Sequence, residues 1–470
     1  MTDRSDGRVM RAMRDFNLGG LLGGHSGVSL AKCIMGPAFR EDSLFSRTEL
    51  SDTIRHANSV SDQIRRLSGT LDLNNSRMAL NVHNPDQYMS SLRQILAQGR
   101  KRIGLLVGAG APAGIFDVTG KHPLIPAVAG LTVQVLNALK KDHGTCLDLI
   151  QKSISNPNIE SILSRVRGLA SVIGTAEVHG LNGDGHAKLS EAICKQIGTI
   201  VHQPLPTGES AFTQLVSWMS GSTREHGIEI FTTNYDLLFE QALERGKLPY
   251  FDGFTGSHEP FFDPASISGD KLPSSWVRLW KLHGSIGWET NSNGEVIRNG
   301  RGSSSQLVYP EQMKYDRTQK APYAALFDRL RSFLMTPDTL LISTGFSYAD
   351  AHVSALIDEC LAANPSMSLF AFQFQPIANE PHACDIGKRR PNMSVYCPDA
   401  AMVNGVQAPW KPGDPPSKDW GPIQEGYWDK ATERFRLGQF DVLAKFFASS
   451  RSDQTTPGVA MPIYGGPAAA

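Results

Sequence analysis

The residues best suited to chemistry stand in short clusters, each directly after an apolar run. They are GAG at Gly108, Ala109 and Gly110; TTNYD from Thr232 to Asp236; KLHGS from Lys281 to Ser285; and GFSYAD from Gly345 to Asp350. Glycines after a strand let the backbone approach a pyrophosphate at a helix start. LLVGAGA is not a full G-x-G-x-x-G, because Ala113 stands three residues after Gly110. No G-K-[ST] accompanies it, which argues against a phosphate-loop NTPase. Asn234 offers a donor and an acceptor, a match for the two hydroxyls of a ribose, and Thr233 shares its turn. Asp236 can accept from a carboxamide NH2 or cap the helix that LLFEQAL predicts. His283, between an apolar strand and a glycine, is a candidate general base because imidazole ionises near neutrality. Gly345 permits close approach of a ligand, Ser347 can bind a ribose or phosphate oxygen, and Asp350 can cap the next helix.

The elements that must position these residues follow from the apolar pattern. IGLLV, IEIF, VRLW and TLLIST read as strands, with SLFAFQFQ and MSVYCPD as two more. Helical periodicity fills PDQYMSSLRQILA, a stretch of about residues 126–220, and the segments after TTNYD and GFSYAD. Strands alternating with helices predict an α/β fold: a Rossmann-like parallel sheet with helices on both faces, plus a helical insertion and mostly non-sheet N- and C-terminal extensions. In open α/β sheets a ligand binds outside the carboxyl ends of the strands, which is where every cluster falls. Three regions are expected. Residues 1–85 form an arm or small helical appendage, with a helix near Thr48 to Leu67; residues 86–400 form the ligand-binding domain. Residues 401–470 form a Pro-rich connection, a short amphipathic segment and a disordered tail.

Composition narrows the class. The 470 residues carry 46 Lys plus Arg and 46 Asp plus Glu, so the balance gives no support for nucleic-acid binding. The six cysteines include no C-x-x-C pair, which argues against a zinc ribbon or a thioredoxin motif and for reduced thiols. No metal is predicted. No apolar run approaches the roughly 20 residues of a membrane helix, and the N-terminus lacks a hydrophobic signal core. The expectation is a cytoplasmic protein with no membrane contact.

Taken in order, GAG, TTNYD, KLHGS and GFSYAD resemble the sirtuin-like NAD-binding family over about residues 87–400. The resemblance implies NAD as substrate. It puts the diphosphate on Gly108, Ala109 and Gly110, the nicotinamide ribose on Asn234, and the carboxamide on Asp236. His283 becomes the base, and Gly345 with Ser347 touches the adenosine. Three departures stand out: no four-cysteine zinc module, GIFDVTGKHP in place of the family's Phe-Arg cofactor loop, and the helical insertion. That pattern resembles the bacterial sirtuin-like effectors of antiphage defence, which hydrolyse NAD to nicotinamide and ADP-ribose. The resemblance further implies a homo-oligomer. ERFRLGQFDVLAKFF is similar to the tails of members that pair with a HerA-type hexameric ATPase. A protein deacylase using the same cofactor and a non-catalytic nucleotide sensor are the alternative readings.

Overall fold

The computed structural model describes residues 81–450, apart from 117–119, 121, 222, 270, 294 and 300–321. The expected N-terminal arm up to residue 80, with its helix near Thr48 to Leu67, and the tail from 451 onward lie outside the described residues.

Nine strands form the main sheet, in the order β13-β12-β11-β10-β9-β1-β2-β6-β3. Its centre is β1 (Arg102–Val107), flanked by β2 (Glu229–Thr232) and β9 (Thr339–Thr344). Beyond β2 lie β6 (Val277–Lys281) and β3 (Tyr250–Phe251). Beyond β9 lie β10 (Ser368–Phe372), β11 (Met393–Tyr396), β12 (Ala400–Val403) and β13 (Val406–Pro409). Every pairing from β3 to β11 is parallel, and the last two are antiparallel. From β1 the chain builds outward through β2 and β6, then returns to β1's other side as β9. The gap between β1 and β9 is therefore the topological switch point of the sheet. A smaller four-stranded sheet joins β4 (Phe254–Thr255), β5 (Phe261–Phe262), β8 (Val296–Arg298) and β7 (Trp288–Thr290).

Side chains alternate across a strand, and here the alternation feeds two cores. Leu105 and Val107 of β1, Ile230 of β2, Leu279 of β6 and Ile342 of β9 enter one cluster. Their neighbours Leu106, Phe231, Trp280 and Leu341 enter the other. The first core is covered by α1 (Pro85–Ala97), α3 (Val128–Lys152), α4 (Ile159–Val172), α5 (Gly183–Val201), α6 (Ala211–Ser220) and α7 (Leu238–Arg245); the four-residue α2 (Gly110–Ala113) follows β1. The second is covered by α8 (Tyr323–Met335), α9 (Ala351–Ala363) and α10 (Pro381–Arg389). Helices on both faces of a mostly parallel sheet are the α/β architecture expected from sequence. The predicted insertion is α3 to α6, and its apolar faces belong to the first core rather than to a separate lobe. A buried ion pair ties α8 to the sheet on this second face: Glu229 of β2 accepts from Arg329 Nε at 2.8 Å and from Trp280 Nε1 at 2.7 Å.

The C-terminal extension does more than connect. Val403 pairs with Val406 across Asn404 and Gly405, whose φ values of 51° and 76° give the two-residue hairpin turn that Asn-Gly favours. That hairpin adds β12 and β13 to the sheet edge. The amphipathic segment is α11 (Phe440–Ser449), packed on α6 with Phe440 5.1 Å from Phe212 and Phe447 4.8 Å from Trp218.

Candidate functional site

The loops after β1 and β9 are built against each other. Gly108 N–H donates to Thr344 O at 3.0 Å and Gly110 N–H to Gly345 O at 2.9 Å. A Cβ on Gly108 would lie 2.4 Å from Gly345 O, and one on Gly345 2.4 Å from Ala111 N. Gly345 also holds φ +63°, a conformation only glycine adopts freely. These glycines are required first by turn-on-turn packing.

The loop after β2 is pinned to the same place. Thr232 Oγ1 donates to Val107 O at 2.8 Å and accepts from Asn234 N–H at 3.1 Å. Asn234 Nδ2 then donates to Gly108 O at 3.2 Å. This leaves Asn234 Oδ1 buried with no hydrogen-bond partner. Such an orphaned acceptor is destabilising unless a ligand or water completes it. Asp236 Oδ1 accepts from Leu238 N–H at 3.0 Å, an Asx-type turn leading into α7; the N-cap position itself is Leu237, not the Asp236 considered from sequence. Burial pushes the Asp236 carboxyl above the usual carboxylate range, against the pull of Lys281.

After β6 the chain turns at His283, with Gly284 at φ +88°. Leu282 N–H reaches Thr232 O at 2.8 Å and Ile286 N–H reaches Tyr235 O at 3.0 Å, which fixes this turn to the Asn234 loop. Beneath both lies Lys281, bonded to Glu240 Oε1 at 2.8 Å, to Ser285 Oγ at 3.2 Å and to the Asp236 carbonyl. His283 Nε2 lies 2.8 Å from Asp350 Oδ2. The distance suits a hydrogen bond but the N–H misses its alignment, so both atoms lack a properly formed bond. Asp350 Oδ1 caps α9 through the N–H groups of His352 and Val353.

One cavity of about 760 Å³ collects these loops, within the range of small-molecule and cofactor sites. Of the residues singled out from sequence, Ala109, Thr233, Asn234, Asp236, His283, Gly345 and Ser347 line it. Gly108 and Gly110 do not; they support it from behind, against Gly345. Sequence reasoning missed the opposite wall, where Ile125, Pro126, Asn158, Glu160 and Ser164 face the same space. Asn158 and Ser161 form a capping box at the start of α4, and Ser164 Oγ is buried without a partner. The i, i+3 spacing of Ser161 and Ser164 marks one helix face, but nothing local says what that face meets. Lys281 was missed too; its signal is a lysine inside an otherwise apolar strand end. Among the described residues no group of three or more His, Cys, Asp or Glu is placed to hold a metal ion, and no helix is long and apolar enough to cross a membrane.

Comparison with known proteins adds a family likeness. A family model described as a SIR2-like domain matches residues 228–388, a span holding Asn234, His283 and the Gly345 turn. Among the solved structures similar to the chain are the following two. One, from work on the mechanism and regulation of Sir2 enzymes, is 13% identical, with a TM-score of 0.31 over 64% of this chain and 90% of that one. The other, a Sir2 homolog in complex with NAD, is 11% identical, with a TM-score of 0.26 over 63% of this chain and 88% of that one. No curated protein matches the chain.

Proposed function

We propose that the protein hydrolyses NAD at the bond between nicotinamide and ribose, releasing nicotinamide and ADP-ribose. The observation that carries this reading is one cavity that holds both the orphaned Asn234 Oδ1 and the imidazole of His283. The SIR2-like match over residues 228–388 supports NAD as the ligand class. The C1'–N bond breaks with its electron pair passing to the nicotinamide ring, which leaves neutral. The sugar carbon passes through an oxocarbenium-like state. Asn234 Oδ1 accepts from a ribose hydroxyl or from the attacking water, and orients it. As water oxygen bonds to C1', His283 takes the proton. Thr233 and Asp236 hold the nicotinamide riboside end, with Asp236 accepting from the carboxamide. Gly345 and Ser347 meet the adenosine end, and the Gly108–Gly110 turn supports the diphosphate through Ala109.

The test is to incubate the purified protein with NAD and identify the products by mass. Nicotinamide plus ADP-ribose is expected, and Asn234→Ala or His283→Ala should each lower turnover by about 100-fold or more while the protein stays folded. Turnover at the parent rate in both variants overturns the assignment. Consumption that requires an acylated peptide reassigns the protein as a deacylase, and binding without turnover reassigns it as a sensor.

From the sequence resemblance we further propose that the activity depletes NAD in antiphage defence. Self-association or a HerA-type hexameric ATPase would control it. The apolar face of α11 is buried against α6, so such a partner would contact other surfaces of the C-terminal region. Co-purification with the ATPase, and NAD loss in infected cells carrying the parent but not His283→Ala, are the corresponding measurements.

A further inference from the structure

We propose that Asp350 is the positioning residue of His283: one carboxylate oxygen caps α9 while the other orients the imidazole and fixes which ring nitrogen carries its proton. The proposal rests on the reading of His283 as the base, and it adds a residue that the sequence had marked only as a helix cap.

Three observations carry it. The first is the 2.8 Å approach of His283 Nε2 to Asp350 Oδ2, with the two side chains only 6% and 12% exposed. A carboxylate accepts and cannot donate, so the nitrogen facing it must carry the hydrogen. Nδ1 is left as the nitrogen with the lone pair. Catalytic hydrogen bonds are often poorly aligned before a ligand binds and tighten in the complex, so the missed alignment does not remove the pairing.

The second is the distance the contact spans. His283 follows β6 and Asp350 follows β9, and β2 and β1 lie between them in the sheet. At about 4.8 Å per strand the two strand ends are roughly 14 Å apart. The contact therefore requires both loops to arch over the ends of β1 and β2. It is not a by-product of neighbouring strands.

The third is the way the Asp350 loop is held. Tyr348 adopts φ +60°, the left-handed conformation that a bulky side chain rarely takes. Its hydroxyl lies 2.6 Å from Ser343 Oγ, and its carbonyl accepts from Ser354 Oγ at 2.8 Å. A strained residue tied down at both ends marks a position that its surroundings over-determine. Two residues later comes Asp350.

Among the described residues, Asp350 is the carboxylate within ion-pair distance of His283. The ring of Tyr235 lies 6.4 Å away between centroids, and Asp236, Glu160 and His352 line the same cavity. Burial works to raise the Asp350 carboxyl, but His283 and the two capping N–H groups hold it below the usual carboxylate range.

The discriminating variant is Asp350→Asn, because asparagine caps helices as well as aspartate does while losing the charge. With NAD as substrate, kcat should fall about tenfold or more while KM stays within about twofold, the split expected when binding is kept but the base is misoriented. Parental kcat in Asp350→Asn overturns the proposal. A second readout needs no turnover. In protein labelled with 15N-histidine, the His283 resonances are assigned by their absence in His283→Gln. They should report the Nε2–H tautomer in the parent and a redistributed tautomer in Asp350→Asn. An unchanged tautomer overturns the pairing. If the parent does not cleave NAD, the hydrolase reading fails by itself, and the nitrogen spectra alone decide whether Asp350 positions His283.

Discussion

Lys281→Met is the sharpest probe of what holds the site in shape. The lysine is 3% exposed and its Glu240 partner 14%, with Nζ to Oε1 at 2.8 Å. Glu240 Oε2 has no partner, so removing Nζ leaves the whole carboxylate stranded in the protein. Breaking a buried pair from one side costs about 3–5 kcal/mol, a large part of the roughly 5–15 kcal/mol that stabilises a domain. Methionine keeps the length and the apolar stem, so little of the loss comes from packing. Replacing both partners, Lys281→Met with Glu240→Met, should recover most of it, because a buried pair exchanged for apolar side chains is often close to neutral. The loss should also depend on pH. Burial raises the Glu240 carboxyl and Lys281 opposes that rise. Without the lysine the folded-state pKa climbs further above its unfolded value of about 4.3. The folded state then binds the proton more tightly, so stability falls as pH rises from that value through the folded pKa. The variant should lie closest to the parent near pH 5 and furthest from it near pH 8. Urea denaturation of parent, single and double variants at both pH values measures this. A single-variant loss under about 1 kcal/mol at pH 8, or a double variant no better than the single, refutes the reasoning.

Other expectations follow from the same contacts. Gly345→Ala puts a Cβ 2.4 Å from a backbone nitrogen at φ +63°, so it should lose at least about 1–2 kcal/mol from the conformation alone; a melting temperature equal to the parent's contradicts that. Phe447 is fully buried against Trp218, and Phe447→Ala should cost about 3–5 kcal/mol in urea denaturation. Parental stability there would mean that α11 does not belong to the core. Asp350 titrates below the usual carboxylate range. Its contribution is complete above an unfolded value of about 3.9 and is lost as pH falls through the folded pKa. Asp350→Asn should therefore lose less stability than the parent between pH 5 and pH 2, and parallel acid curves for the two proteins would count against the pair.

Much of this was legible in the chain. Strands β1, β2, β6 and β9 are buried on both faces, so they appear as mostly apolar runs, interrupted by Glu229 in β2 and Arg278 in β6, and the polar clusters behind them mark the carboxyl edge. The hairpin at Asn404 and Gly405 was legible as well, since VNGV is a strong local turn signal. It was overlooked because the surrounding prolines read as a connection. Long-range contacts left no such mark. Asp350 looks like a helix cap because it is one, and its second oxygen finds His283 only through the order in which the strands assemble. Lys281 and Glu240 meet across two elements; a lysine at the end of an apolar strand stands out, but nothing local names its partner. The wall of α4 is hidden for the same reason. A helix shows which face is polar, while the cavity that face closes depends on how the insertion docks.

The docking of that insertion runs from the C-terminal helix toward the site through consecutive ring contacts. Phe440 of α11 lies 5.1 Å from Phe212 of α6, and Phe212 lies 4.8 Å from Phe239 of α7. Phe239 is three residues beyond Asp236, in the helix whose first residue, Leu238, donates its N–H to the Asp236 carboxylate. On the other side, Thr132 Oγ1 of α3 accepts from Ile159 N–H at 2.9 Å and so ties α4 to α3 at the cavity rim. The helical wall is thus braced by chain segments on both sides of the sheet loops in sequence. The sheet-side wall is held by backbone bonds between turns, so its shape follows from the fold itself. The helical wall presents Glu160 and the unpartnered Ser164 Oγ on a surface set by side-chain packing. Packing can change without disturbing the strands, so discrimination among ligands of this cavity has its freest lever in α3 and α4.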